Sequence, residues 1–162
     1  NQFENKYNAV AHEETTGPEI YEDLKDISGF IAGIGTGGTV TGVGRFLKSK
    51  DENIKVWGLE PDESPLLTRG QAGGHKIQGI GANFVPGVLD TKLLDKTITV
   101  KSEEAIEMAR RLYREEGLLV GISAGANVVG ALKMQEELGG NIVTVAPDTA
   151  ERYMSTDLFK ND

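Results

Sequence analysis

A cluster of glycines inside an apolar run, IAGIGTGGTVTGVG at residues 31–44, constrains the fold more than any other stretch. The run predicts a buried strand over residues 30–34 and a helix over residues 39–49. The glycines between them permit sharp turns, and they bring several backbone N–H groups close to the N-terminus of that helix. A strand-to-helix junction of this kind predicts an anion site, most simply for a phosphate group.

Strands and helices alternate along the rest of the chain. Further strands are predicted over residues 54–60, 97–100 and 141–146, and further helices over 17–26, 102–116 and from 121 to 138. Thr16 and Ser102 are expected to cap the first two of these helices. This order predicts an α/β fold, in which helices cover both faces of a parallel sheet.

The domain organisation is simple. Residues 61–86 are rich in glycine and proline and are predicted to form loops with one short helix over 66–71. Neither a linker nor an internal repeat divides the chain, so residues 1–162 are predicted to form a single domain. The chain begins with Asn1 rather than Met, and we expect it to be the C-terminal part of a longer protein.

Composition excludes several classes of function. The net charge of −8 argues against nucleic acid or an anionic membrane surface as the main partner. The absence of cysteine excludes disulfides, thiolate metal sites and a cysteine nucleophile. His12 and His75 lack the spacing of metal ligands and are expected to be loop or packing residues, so no metal site is predicted. A cytoplasmic location is the default expectation.

Spacing alone leaves the identity of the phosphate ligand open. Gly33, Gly35 and Gly38 satisfy the dinucleotide fingerprint, and Glu60 ends the next strand at a suitable distance. A Walker A loop is excluded because no Gly-Lys-Ser/Thr follows. The sequence GISAGA at 121–126 adds a second close backbone approach and one hydroxyl, that of Ser123. Considered by itself, Ser123 is interpreted as an ordinary helix N-cap.

Several separate motifs together resemble the cysteine synthase (O-acetylserine sulfhydrylase) family of fold-type II pyridoxal-phosphate enzymes, which are tryptophan-synthase-β-like. They are GTGGT at 35–39, GISAGA at 121–126, IQGIGANFVPGVLD at 77–90, HEETTGPEIYED at 12–23 and PDTAERYMST at 147–156. The resemblance extends over nearly all of this chain but only about the C-terminal half of a family member. It implies that the chain is the large cofactor-binding domain of that fold.

The resemblance also implies roles for residues. Those that would bind the cofactor phosphate are Gly35, Thr36, Gly37, Gly38 and Thr39. Ser123 would hydrogen-bond the pyridine nitrogen, and this neutral contact suits β-elimination and replacement. Those that would contact substrate or line the mouth of the site are Gln2, Gly79, Ile80, Gly81 and Ala82. Asp148 could approach the cofactor ring, although a turn-forming role is the simpler interpretation.

The implied reaction replaces the acetate of O-acetylserine with sulfide to give cysteine. A homodimer and binding of the C-terminal tail of serine acetyltransferase are implied as well. Asn83 stands where glycine is common and Ala124 replaces a frequent serine, so a cystathionine β-synthase-like reaction stays open. A nucleotide-binding module of Rossmann type without catalysis stays open too, as does a chain that only folds and binds a partner.

The Schiff-base lysine of the family lies in its N-terminal domain. None of the 11 lysines here has the sequence setting of that residue, so no residue is assigned as catalytic. The chain by itself is therefore expected to be inactive.

Overall fold

The computed structural model describes residues 1–160. It confirms an α/β fold built on a parallel sheet with strand order β3-β2-β1-β4. The strands are β1 (Gly29–Gly33), β2 (Lys55–Pro61), β3 (Lys96–Val100) and β4 (Ile142–Val143). β1 pairs with β2 on one side and with β4 on the other, so the chain changes direction across the sheet at β1. In parallel sheets, ligands bind at the carboxyl ends of the strands flanking such a point.

Helices cover both faces of the sheet, as predicted. They are α1 (Tyr7–Ala11), α2 (Gly17–Asp23), α3 (Gly38–Lys50), α4 (Leu66–Arg69), α5 (Ser102–Glu116) and α6 (Ile122–Leu138). Side chains of β1 alternate between two cores: Phe30 packs with Val40 and Val43 of α3, whereas Ile31 packs in the core that includes residues of α5 and α6. None of the helices in residues 1–160 has the length and apolar character to cross a membrane.

Thr16 stands at the predicted N-cap position of α2 but makes no capping hydrogen bond with its side chain, and the prediction of Ser102 as a cap is wrong. Thr16 has helical backbone angles, because a π-helical turn (His12–Thr16) joins α1 to α2 without a break. Its hydroxyl is 2.9 Å from His12 Nδ1, and α2 ends at Asp23 rather than near residue 26. Ser102 is the first residue of α5 rather than its cap, and its hydroxyl accepts a hydrogen bond from the Lys76 N–H at 3.0 Å. In both cases a contact within the fold uses the hydroxyl instead.

The last strand is shorter than predicted. Residues 141–146 are all apolar except Asn141 and Thr144, which suggests six residues of strand, but β4 contains only Ile142–Val143. Beyond Val143, hydrogen bonds from side chains replace the bonds between strands, as described below. The shortened strand leaves the carboxyl end of β1 open on that side.

Candidate functional site

The first glycine junction presents free backbone N–H groups. Gly37 adopts a left-handed conformation (φ 81°) and is the N-cap of α3. The Thr36 hydroxyl accepts hydrogen bonds from the Gly38 N–H at 3.1 Å and from Asn8 Nδ2 at 2.9 Å. Within residues 1–160, the N–H groups of Gly37 and Thr39 have no protein acceptor. Unpaired N–H groups at the N-terminus of a 13-residue helix favour binding of an anion.

A second loop packs directly against this junction. A Cβ atom on Gly35 would lie 2.2 Å from the Gly79 carbonyl oxygen, so only glycine allows this approach. The Gly81 N–H donates to the Ile34 carbonyl at 3.0 Å, and the Gly81 carbonyl is 2.9 Å from His75 Nε2. These contacts hold residues 79–82 beside residues 35–39, which are called the phosphate-type loop below.

The second glycine junction positions Ser123 at the start of α6. The N-cap of this helix is Gly121, with Ser123 in its first turn, so the interpretation of Ser123 as an N-cap is wrong. Ser123 is only 3% exposed, and its hydroxyl has no hydrogen-bond partner among the residues that the structure describes. Because Ser123 lines the cavity described next, its hydroxyl is free to form a hydrogen bond with a ligand there.

Both junctions open into one cavity of about 500 Å³. The predicted site residues that line it are Gln2, Gly35, Thr36, Gly37, Thr39, Gly79, Ile80, Ala82 and Ser123. Two others, Gly38 and Gly81, are not on its surface: each instead contributes an N–H that fixes a neighbouring loop. The lining also includes Phe3, Gly33, Pro147 and Asp148. Of these, Phe3 and Pro147 had no role predicted from the sequence, whereas Asp148 had been considered near the cofactor ring.

Asp148 forms part of the cavity wall beside the N-terminus of α6. Its Oδ2 accepts a hydrogen bond from the Tyr153 hydroxyl, and its backbone carbonyl accepts one from the Gly121 N–H at 3.1 Å. Its Oδ1 is buried and has no partner within residues 1–160. Burial, together with the bond to Asp148, raises the pKa of Tyr153 to about 12. The carboxylate therefore belongs to the wall of the site rather than to an isolated turn.

The Glu60 carboxylate is not free to bind a ribose hydroxyl, as a dinucleotide site would require. Its side chain is 4% exposed and accepts hydrogen bonds from the N–H groups of Leu67 and Thr68 and from the Thr68 hydroxyl, at 2.7–2.9 Å. The carboxylate is thus used within the fold, at the start of α4. A ribose hydroxyl would have to displace these bonds, which argues against the Rossmann interpretation.

Neither His12 nor His75 is among the residues that line the cavity. His12 Nδ1 is 2.9 Å from the Thr16 hydroxyl and its Nε2 is 3.4 Å from the Thr39 hydroxyl, and burial lowers the pKa of His12. His75 forms hydrogen bonds within the loop that precedes Ala82. No lysine of residues 1–160 is among the residues that line the cavity. In the same part of the chain, no group of three or more acidic or histidine side chains could hold a metal ion.

Comparison with known proteins assigns the family. The sequence model of a family described as "Pyridoxal-phosphate dependent enzyme" matches residues 1–148. The chain belongs to this family. The cofactor of the family is pyridoxal phosphate.

Relatives within this family include cysteine synthases. The chain is 52% identical to cysteine synthase A of Escherichia coli, over 98% of this chain and 53% of that protein. Thus it spans about half the length of the curated relatives that it matches.

Two solved structures closely share the fold of this chain. The hydrogen sulfide-producing enzyme from Fusobacterium nucleatum superposes with a TM-score of 0.94 at 45% identity, over 97% of this chain and 49% of that one. The O-acetylserine-dependent cystathionine β-synthase from Helicobacter pylori gives a TM-score of 0.91 at 41% identity, over 98% and 52%.

Proposed function

We propose that this chain is the C-terminal cofactor-binding domain of a cysteine synthase, which replaces the acetate of O-acetylserine with sulfide. One observation supports this most directly: two glycine junctions, one with free N–H groups and one with a free hydroxyl, face the same cavity. A cavity of about 500 Å³ has the size of a small-molecule site. Its two polar ends match the phosphate and the ring nitrogen of pyridoxal phosphate.

At the phosphate end, the N–H groups of Gly37 and Thr39 and the Thr39 hydroxyl supply donors. The helix dipole of α3 adds a favourable field for a negative group. Gly38 acts indirectly, because its N–H fixes the Thr36 side chain. Since the net charge of the chain is −8, these local dipoles rather than the overall field must hold the phosphate.

At the ring end, the Ser123 hydroxyl would complete its hydrogen bonding with the pyridine nitrogen. Bound pyridoxal phosphate supplies an electron sink for bond breaking at the substrate α-carbon. A neutral hydroxyl stabilises a protonated ring nitrogen less than a carboxylate would. This arrangement favours elimination and replacement at the β-carbon over chemistry that needs a long-lived carbanion.

At the substrate end, Gln2 and residues 79–82 form the mouth of the cavity. The backbone carbonyl of Gln2 accepts a hydrogen bond from Asn8 Nδ2 at 2.9 Å, and the same Asn8 nitrogen donates to the Thr36 hydroxyl. The segment that would bind the substrate carboxylate is therefore attached to the phosphate loop. A homodimer, a cytoplasmic location and binding of the serine acetyltransferase C-terminal tail complete the proposal and rest on the resemblance.

The reaction can be tested with the full-length protein loaded with pyridoxal phosphate. We expect cysteine to form from O-acetylserine and sulfide, and to form faster than cystathionine does from O-acetylserine and homocysteine. Calorimetry should show no tight binding of NAD, because Glu60 is already used within the fold. Preference for homocysteine would favour the cystathionine-type reaction, and tight NAD binding without a response to pyridoxal phosphate would contradict the proposed family role.

The role of Ser123 predicts a spectroscopic effect. Ser123→Ala in the full-length protein should shift the absorbance of the bound cofactor and slow turnover about 10-fold, because one buried hydrogen bond to the ring is lost. Ser102→Ala is a matched control, since Ser102 is equally buried at the start of α5 but lies away from the cavity. A wild-type spectrum and turnover in Ser123→Ala would show that the hydroxyl does not contact the ring.

A further inference from the structure

A buried amide connects the two glycine junctions. Asn127 lies one helical turn after Ser123 on α6 and is 1% exposed. Its Oδ1 accepts a hydrogen bond from the Gly33 N–H at 2.8 Å, and its Nδ2 donates to the Val145 carbonyl at 2.9 Å. The side chain thus satisfies a backbone donor at the end of β1 and a backbone acceptor just after β4.

The Asn127 amide supplies hydrogen bonds that a neighbouring strand would otherwise supply, at the point where β1 and β4 stop pairing. β1 and β4 pair through Gly29 with Ile142 and through Phe30 with Val143, and the pairing then stops. The next bond is from the Thr144 hydroxyl to the Ile31 carbonyl at 2.6 Å, and the Asn127 bridge follows. Because an inserted side chain separates the backbones, the sheet opens where the cavity begins.

The Asn127 side chain also links the two ends of the cavity. Gly33 lines the cavity and precedes the phosphate-type loop by two residues, whereas Asn127 and Ser123 share the first turns of α6. A Cβ atom on Gly33 would lie 3.2 Å from Asn127 Oδ1, which shows how closely the amide approaches β1. A shorter side chain at this position would lose the two hydrogen bonds that join α6 to the segments after β1 and β4.

We propose that Asn127 is a positioning residue that sets the span between the phosphate-binding loop and the Ser123 hydroxyl. This inference rests on the proposed function, since it concerns a ligand that uses both ends of the cavity. Phosphate alone needs only the loop and the N-terminus of α3. A phosphorylated pyridine needs both junctions at the correct separation, so only the larger ligand depends on Asn127.

The test compares two probes on the cofactor-free form of the full-length protein. Pyridoxine 5′-phosphate carries the ring and the phosphate but no aldehyde, so it binds without a covalent bond to lysine; inorganic phosphate probes the loop alone. Asn127→Ala should weaken the binding of pyridoxine 5′-phosphate about 10-fold, as expected when the Ser123 hydroxyl is misplaced and its contact with the ligand is lost. The dissociation constant for inorganic phosphate should change less than about 2-fold.

Thr144→Val is the matched control. It removes the neighbouring side-chain bond between the same two segments, and Thr144 does not line the cavity. It should lower the melting temperature and leave both dissociation constants near their wild-type values. Asn127→Ser serves as a milder variant if Asn127→Ala does not fold, with the same expected selectivity for the larger probe.

Failure of the inference and failure of the proposed function give different results. If wild-type protein does not bind pyridoxine 5′-phosphate, the proposed function fails. If wild-type protein binds it, two results would show that the inference is wrong. The Asn127 variants could weaken the binding of both probes equally, or change the binding of neither; in either case Asn127 serves only to stabilise the core. An equal loss of pyridoxine 5′-phosphate affinity in Thr144→Val would also overturn it, because general opening of the sheet would then explain the effect.

Discussion

Gly35→Ala should lower the turnover of the full-length protein about 100-fold and weaken its retention of pyridoxal phosphate. The added Cβ would lie 2.2 Å from the Gly79 carbonyl oxygen, which is backbone and cannot rotate away. The phosphate-type loop and the loop over residues 79–82 would have to separate by an ångström or more. Misplacement of this size is sufficient for a loss of about that magnitude. Steady-state kinetics and cofactor content after gel filtration would measure the two effects.

Gly74→Ala is the matched control for this change. A Cβ atom on Gly74 would meet no atom within 4 Å, and its backbone does not have a positive φ. Turnover and cofactor content should therefore stay near wild type. If Gly35→Ala keeps both properties while remaining folded, the close approach of the two loops is not needed for cofactor binding.

The sheet and the first junction could be predicted because their signals are local. An apolar run followed by closely spaced glycines predicts a strand, a turn and a helix, and the structure places them at Gly29–Gly33 and Gly38–Lys50. The alternation that follows predicts parallel strands covered on both faces. Gly117 ends α5 in a left-handed conformation, as its position after residues 102–116 predicts.

Helix caps were predicted less well, because polar side chains have competing partners. Thr16 and Ser102 are typical cap residues. In the folded chain, however, the Thr16 hydroxyl contacts the His12 ring, and the Ser102 hydroxyl accepts a hydrogen bond from the Lys76 N–H. Tyr113 lies one helical turn after Ala109 on α5 but is 51% exposed, since Ala109 is the last residue of this helix in the buried core cluster. Such outcomes depend on packing that local sequence does not encode.

The bridge through Asn127 could not be located from sequence spacing, because Gly33 lies 94 residues away along the chain. One signal was present: an amide stands among small and apolar residues in GISAGANVVG, where a buried helix face is predicted. A buried amide requires hydrogen-bond partners, so this pattern indicates a side chain that bonds to other parts of the fold. The identity of those partners required the fold.

The 162-residue chain expressed by itself should make no cysteine from O-acetylserine and sulfide. No lysine of residues 1–160 lines the cavity, so pyridoxal phosphate could be held there only by hydrogen bonds and helix dipoles. Binding should then be weak and should be competed by inorganic phosphate. The assay adds cofactor to the purified chain, measures cysteine formation, and compares it with the full-length protein as the positive control.

Self-association should accompany this lack of activity. Apolar side chains at Phe84, Val85, Leu118 and Leu119 are 41–51% exposed, and exposed apolar surface promotes association. Analytical ultracentrifugation should therefore show species larger than 17.4 kDa.

Reduction with borohydride tests the premise about lysine directly. Treatment of the isolated chain with pyridoxal phosphate and borohydride should label several exposed lysines substoichiometrically, because each reacts only by chance at the surface. The full-length protein should instead carry one label per chain. Mass spectrometry of the peptides distinguishes these patterns. Stoichiometric labelling of a single lysine in the isolated chain, together with cysteine formation, would mean that the chain contains its own catalytic lysine and that the proposed division between two domains is wrong.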